Sequence, residues 1–185
     1  MTTLRGERCV VREWRLADAE AVARHANNPN IARHLRDRFP HPYTLADAKS
    51  FLAHVVRDTG TPTNLAIEVD GEAVGGVGFT KATDVERFSA EIGYWLSESY
   101  WRRGIMTEVL TLVTRDVFER RNLLRVFALP FADNPASVRV LEKAGYVREG
   151  LLRSSVVKYG RPRDQLLYAR INEGWRPPVV ENLAG

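Results

Sequence analysis

The sequence predicts a single α/β domain whose mixed, mostly antiparallel sheet has about seven strands and about four flanking helices. Three stretches carry that prediction. Residues 90–96, Ala-Glu-Ile-Gly-Tyr-Trp-Leu, alternate as a strand does, and after a basic turn Ile105, Val109, Leu112 and Val113 mark one helical face. Leu65, Ile67 and Val69 alternate with Ala66 and Glu68, and Asp70-Gly71 then signals a hairpin whose return strand runs from Val74 to Phe79. A further apolar strand, Arg125 to Leu129, leads into Asn134-Pro135, a helix start. Helix-linked strands run parallel and hairpin strands antiparallel, so the sheet is mixed. The hairpin argues against a doubly wound nucleotide fold, in which strands and helices alternate throughout.

The other elements follow in chain order. Val10 to Trp14 reads as a first strand of poor alternation. Asp18 is the expected N-cap of a helix carrying Ala21, Val22 and His25, which Asn27-Asn28-Pro29-Asn30 breaks. Phe39-Pro40-His41-Pro42-Tyr43 is a stiff aromatic connection. Thr44 caps a second helix reaching Arg57, with Asp47 standing where a capping box prefers Glu or Gln. Glycines 75, 76 and 78 weaken their strand but permit close backbone approach. Beyond Gly145, Tyr146 to Lys158 suggests a bent strand, 159–163 a turn, and Asp164 to Ile171 the last strand. From Trp175 on, Pro177-Pro178 and a polar end predict an extended tail.

Composition narrows the class. A chain of 185 residues is long enough for one domain with a real core. Its 44% hydrophobic and 27% charged content is that of a soluble globular protein. No apolar run approaches the ~20 residues of a membrane span, and Met1 to Glu7 lacks the apolar segment of a signal peptide. The single cysteine, Cys9, excludes an intramolecular disulfide and suits a reducing compartment, so the cytoplasm is the expected location. The formal charge of +4, from 27 basic and 23 acidic residues, favours acidic ligands without requiring nucleic acid. The arginines are not clustered with aromatics on one face, which speaks against a nucleic-acid partner. His25, His34 and His54 show no ligand-like spacing with one another or with Cys9, and no metal is expected.

Function enters through the turn Tyr100-Trp101-Arg102-Arg103-Gly104-Ile105-Met106-Thr107-Glu108. Strand, basic glycine-containing turn and helix together aim backbone N–H groups and the positive helix end at an anion. Arg102 and Arg103 add charge at that spot. An ordinary loop is the plain alternative, since the turn carries neither G-x-G-x-x-G nor G-x-x-x-x-G-K-[ST]. Two signatures decide. One is Glu-Ile-Gly-Tyr-Trp-Leu running into Tyr-Trp-Arg-Arg-Gly-Ile-Met-Thr-Glu; the other is Asn-x-x-Ser-x-x-x-Leu-Glu-Lys-x-Gly-Tyr. In their order and spacing the chain resembles the GNAT superfamily of acyl-CoA-dependent N-acetyltransferases. Within it, the similarity is to the Rim-type branch that includes acetylases of ribosomal-protein N termini. The likeness extends more weakly from about Cys9 to Ile171. The superfamily's cofactor loop is commonly Gln/Arg-x-x-Gly-x-Gly/Ala. Here Trp101 stands first, as is familiar in the Rim-type branch, and Met106 stands where a small residue lets the pyrophosphate approach. The resemblance implies a GNAT-like domain over residues 1–175, a tail at 176–185, and acetyl-CoA as acetyl donor.

Acetyl transfer from a thioester to an amine requires a positioned donor, a neutral amine, a stabilised oxyanion and a protonated leaving thiolate. The resemblance implies that backbone N–H groups across Arg102, Arg103, Gly104, Ile105, Met106 and Thr107 hold the CoA pyrophosphate. A backbone N–H near the end of the 90–96 strand, at Leu96, would serve the oxyanion. It also implies that Asn134 binds the pantetheine arm and that Ser137 protonates the CoA sulfur. Asn134 reads equally as an ordinary N-cap before Pro135. Tyr146 is a second candidate acid. Glu91, a carboxylate in a central strand on the face opposite Ala90, Ile92, Tyr94 and Leu96, is the candidate base; an arginine partner or solvent is the alternative reading. Asp164 is a weaker base candidate. The region before Arg57 walls the acceptor groove in this family, which makes His41 and Tyr43 candidate substrate contacts. The other reading is a proline-stiffened loop whose aromatic packs on the core.

The leading expectation is direct transfer of acetyl from acetyl-CoA to a primary amine, with the branch suggesting a protein or peptide α-amine. Relatives with the same motifs acetylate antibiotics, polyamines and amino acids, so a small-molecule acceptor stays open. Cys9 is remote from the motifs and is not expected to act as a nucleophile. The competing class is a binding module that holds acyl-CoA as a sensor; Met106 speaks for it, Ser137 and Glu91 against it. A homodimer is a further open expectation.

Overall fold

The computed structural model describes residues 3–57 and 63–178. Strands β1 (Thr3–Arg5) and β2 (Val10–Glu13) form an opening hairpin, followed by helices α1 (Ala19–Ala26), α2 (Pro29–Ala32) and α3 (Leu45–Arg57). Strands β3 (Asn64–Val69), β4 (Glu72–Lys81) and β5 (Ser89–Leu96) come next, then α4 (Ile105–Arg121), β6 (Arg125–Ala128) and α5 (Pro135–Lys143). The long hairpin β7 (Val147–Lys158) and β8 (Arg161–Ile171) closes the sheet. The strand order is β1-β2-β3-β4-β5-β6-β8-β7. Every neighbouring pair is antiparallel except β5 and β6, which the α4 crossover makes parallel.

The mixed sheet and the Asp70-Gly71 hairpin appear as expected, with one strand and one helix more than the sequence suggested. The additional strand, Thr3–Arg5, pairs with Val10, Val11 and Arg12; three residues are too few to show an alternation. The additional helix is the segment read as a break. Asn28 Oδ1 accepts from Asn30 N at 2.7 Å with Pro29 in the first helical position, so a single turn forms there. Asp18 is a correction of another kind. It makes no cap bond to α1. Its carboxylate accepts from Arg15 N at 2.8 Å and from both terminal nitrogens of Arg12 at 2.8 Å, while Arg12 Nε donates to Glu68 at 2.5 Å. Thr44 and Asp47 do complete a reciprocal box, with Thr44 N on Asp47 Oδ2 at 2.8 Å and Asp47 N on Thr44 Oγ1 at 3.2 Å.

Two apolar layers sandwich the sheet. On one face α4 and α5 pack Val109, Val113 and Leu141 against Val11, Ile67, Ala90 and Ile92. On the other, α1 and α3 pack Val22, Ala26 and Leu52 against Trp14, Tyr43 and Ala66. Gly76 shows why β4 is glycine-rich: a Cβ there would lie 2.8 Å from Trp95 Nε1 and 3.0 Å from Trp14 Cζ2. The β7–β8 hairpin reaches over to the α2–α3 connection, where Lys158 Nζ meets Asp37 at 2.7 Å and Arg163 Nη1 donates to Arg33 O at 2.9 Å. At the C-terminal end, Trp175 donates to Asn122 O at 3.0 Å and packs edge-on against Phe88. The expected tail at 176–185 lies outside the described residues from 179 onward. No described helix is long and apolar enough to cross a membrane.

Candidate active site

The sheet opens where β5 and β6 part. They pair only from Ser89↔Arg125 to Glu91↔Phe127, after which β5 continues to Leu96 along β4 and β6 ends at Ala128. The gap belongs to a cleft of about 1650 Å³ whose wall includes Glu91, Tyr94, Leu96, Gly104, Phe131 and Ser137. Hydrogen bonding shows which backbone groups face it. Ser97 N donates to Val74 O at 2.8 Å and Ser89 O accepts from Ala82 N at 2.9 Å, so the odd-numbered residues of β5 bond to β4. The even-numbered Tyr94 and Leu96, beyond the last pair with β6, therefore turn N–H and C=O toward the open edge. The indole of Trp101 donates to Leu96 O at 2.8 Å. This ties the basic turn to the strand end, with the Leu96 N–H facing the open edge.

The turn itself is left-handed at two positions. Arg102 (φ 62°) and Gly104 (φ 77°) both take left-handed backbone conformations. A side chain at 104 would meet nothing nearer than Arg8 Nε at 3.5 Å, so the conformation, not crowding, calls for glycine. Gly104 is the N-cap of α4 and no side chain caps it, which leaves the N–H groups of Ile105, Met106 and Thr107 without partners inside the helix. Arg102 and Arg103 are exposed, and the Arg103 guanidinium lies 5.0 Å above the Tyr100 ring. Met106 is 7% exposed, packs in the core with Val109 and Val113, and also lines the cleft. Glu108, one turn into α4, accepts from Glu7 N at 2.7 Å and Arg8 N at 2.9 Å, clamping the β1–β2 connection beside the turn.

Asn134 is the N-cap of α5, its Oδ1 accepting from Ser137 N at 3.1 Å, and Pro135 follows as the first helical residue. Both Asn134 and Ser137 line the cleft. Ser137 Oγ lies 2.7 Å from Tyr94 Oη, a contact between residues that no local pattern links. Burial pushes the Tyr94 phenol well above its ordinary pKa, opposed by the Ser137 hydrogen bond. Glu91 stands on the other face of β5, half-buried, with Arg36 Nη2 2.5 Å from its Oε1. The sequence foresaw the opposite faces and, as an alternative, an arginine partner.

Other candidates fall elsewhere. Tyr146 is 3% exposed, its hydroxyl 2.6 Å from Thr114 Oγ1, and burial pushes its pKa up to about 12; it is no part of the cleft wall. Asp164 accepts from Ser154 N at 2.7 Å, bracing the bulged hairpin, and also lies off the wall. His41 is exposed and is not brought to the cleft, whereas Tyr43 is buried against Phe39 and forms part of the wall. The wall also includes His34, edge-on to Phe131 at 6.5 Å. Neither residue stood in a sequence motif. For Tyr94 a signal existed: its parity in the strand places it on the face opposite Glu91.

Residues 8–147 match the family described as acetyltransferase (GNAT) domain. The chain is 30% identical over 168 residues to the uncharacterized N-acetyltransferase YoaA of Bacillus subtilis, covering 90% of this chain and 94% of that protein. It is 31% identical over 102 residues to the ribosomal-protein-serine acetyltransferase of Escherichia coli, covering 55% of this chain and 56% of that one. Among solved structures, Mycobacterium smegmatis RimJ in complex with CoA-disulfide superposes with a TM-score of 0.80 at 27% identity, over 90% of this chain and 83% of that one. The family match spans both the basic turn and the Asn134 helix start, and the relatives include Rim-type enzymes. The chain belongs to the GNAT acetyltransferase family.

Proposed function

We propose that this chain transfers the acetyl group of acetyl-CoA directly to a primary amine, the α-amine of a protein or peptide. The observation that carries this is the unpaired edge of β5 opening beside the uncapped N-terminus of α4. The edge offers N–H and C=O groups to a pantetheine chain and, at Leu96, an N–H to the thioester oxygen. The α4 turn, from Arg102 through Thr107, offers N–H groups and two guanidiniums to a pyrophosphate. In this reading Asn134 contacts the pantetheine arm, Ser137 protonates the leaving sulfur and Glu91 receives the amine proton. Tyr43 belongs to the acceptor side as part of the wall, whereas His41 lies off it. The acetyl-CoA domain spans residues 1–175 with 176–185 as a tail, and the cytoplasm is the working compartment. The Rim-type relatives support a protein N terminus as acceptor. The sensor alternative rests on Met106; the packing of that side chain with the core supports transfer over a sensor.

The test is titration calorimetry with acetyl-CoA and CoA, then CoA release with N-terminal peptides and with alkyl amines. Saturable acetyl-CoA binding and peptide-dependent CoA release are expected, with release reduced in Glu91→Gln. No binding at millimolar cofactor would overturn acetyl transfer. Release with alkyl amines but with no peptide would move the acceptor to small molecules.

A further inference from the structure

We propose that Tyr94 is the positioning residue that makes Ser137 an effective proton donor to the leaving thiolate. This rests on the acetyl transfer proposed above. The two hydroxyls are 2.7 Å apart, both residues line the cleft, and the Tyr94 ring packs against the α4–α5 core. The Ser137 backbone is fixed independently, because its N–H is held by Asn134 Oδ1. Only rotation of the Ser137 hydroxyl is left, and Tyr94 restricts it. The other acceptor in reach of Tyr94, Ser137 O, is 3.5 Å away, too long to compete. With the phenol donating to Oγ, the serine's own proton is free to point into the cleft.

Chemistry supplies the reason for such a partner. A thiol titrates near 8.5, and an aliphatic alcohol is a far weaker acid, so a lone serine is a poor donor to a thiolate. When the tetrahedral adduct collapses, the C–S bond breaks and its electron pair goes to sulfur. The Ser137 Oγ proton moves to sulfur to give the thiol. Negative charge then grows on Oγ as its proton leaves, and the hydrogen bond from the Tyr94 O–H stabilises it. Burial favours the protonated phenol, so this donor is always present. Oγ regains a proton from water in the open cleft, while the proton lost by the amine leaves through Glu91, and the protons balance.

The test is a steady-state cycle on the full chain with acetyl-CoA and the best peptide acceptor: wild type, Tyr94→Phe, Ser137→Ala and the double variant. Tyr94→Phe is expected to lower kcat by ~10–100-fold with the KM for acetyl-CoA within about twofold, and the double variant to be no slower than Ser137→Ala alone. An unchanged kcat for Tyr94→Phe, or a double variant slowed by the product of the single effects, would overturn the proposal. If Tyr94→Phe melts well below wild type, 3-fluorotyrosine at position 94 replaces it. It keeps the ring and makes the phenol a stronger hydrogen-bond donor, so kcat is expected to change while the KM for acetyl-CoA stays within about twofold. An unchanged kcat overturns the role. A wild type that binds no acetyl-CoA brings down acetyl transfer and this inference together, whereas an active wild type with an additive cycle brings down this inference alone.

Discussion

The charge of the α4 turn should be measurable as cofactor affinity. Arg103 is exposed at the helix start, its guanidinium over the face of Tyr100. A guanidinium and a phosphate about 4 Å apart interact by roughly 1 kcal/mol in a water-like dielectric, which suits so open a site. Arg103→Ala should therefore weaken acetyl-CoA by about fivefold. Arg103→Glu replaces that attraction with a repulsion of similar size, about 2 kcal/mol in all, or roughly 30-fold. Screening sets the second signature. The Debye length falls from ~10 Å at 0.1 M salt to ~3 Å at 1 M, so the gap between wild type and Arg103→Glu should narrow strongly over that range. Stability should barely respond: an exposed cation–π contact contributes about 0.5–1 kcal/mol, a few degrees of Tm at most in a chain of this size. Calorimetric titration at low and high salt, with a melt of each variant, reads all three quantities. Equal affinity for Arg103→Glu and wild type at low salt would refute the cradle. A loss indifferent to salt would show that the effect is structural and not electrostatic.

Two further outcomes follow from buried charge. Asp18→Ala leaves the Arg12 guanidinium, 4% exposed, with Glu68 as its remaining carboxylate; the cost should be about 3–5 kcal/mol, read in urea as a lower midpoint at unchanged m, and a loss under about 1 kcal/mol would show that Glu68 suffices. Burial first, and then Arg33 beside it, hold His34 below its ordinary pKa; Arg163 acts in the same sense and Asp133 opposes. The unfolded chain thus takes up this proton first as pH falls from about 6.5, and stability due to His34 is full above that pH and declines below it. His34→Gln should flatten the urea midpoint between pH 7 and 5.5 relative to wild type, and an equally steep decline in the variant would refute the assignment.

The alternation of residues 90–96 was enough to place Glu91 and Tyr94 on opposite faces, because strand parity is a local property. The helix after the turn was equally legible. Met106 shares the stripe of Val109 and Val113 at helical spacing, so its burial was implicit in the same pattern that marked Ile105. What the chain did not disclose depends on partners distant in sequence. The Tyr94–Ser137 contact joins residues 43 apart and the Arg36–Glu91 pair residues 55 apart. Asp18 had the residue type and position of an N-cap, and the nearby Arg12 claimed its carboxylate instead. The opening of the sheet has no residue signature at all. It follows from parallel pairing that ends at Glu91↔Phe127 while antiparallel pairing with β4 continues to Leu96.

That opening also bears on mechanism. Tyr94 and Ser137 lie on the α4–α5 side of β5, and Glu91 lies on the α1–α3 side with Trp95. Glu91 and Tyr94 are three residues apart, about 10 Å along the strand. Under the proposed roles, a leaving sulfur protonated from one face and an amine deprotonated from the other meet only at the strand's free edge. Donor and acceptor must then be bound together, and a cleft of about 1650 Å³ exceeds what one small ligand needs. A two-step route through an acetyl-enzyme would require a nucleophile at that edge. The only thiol, Cys9, is buried, its Sγ 3.6 Å from Glu108, and burial pushes its pKa up to about 12, with the Glu108 charge adding to the effect. A thiol so held stays protonated and out of reach of the acetyl group, so attack by the amine on the bound thioester is the route this geometry favours.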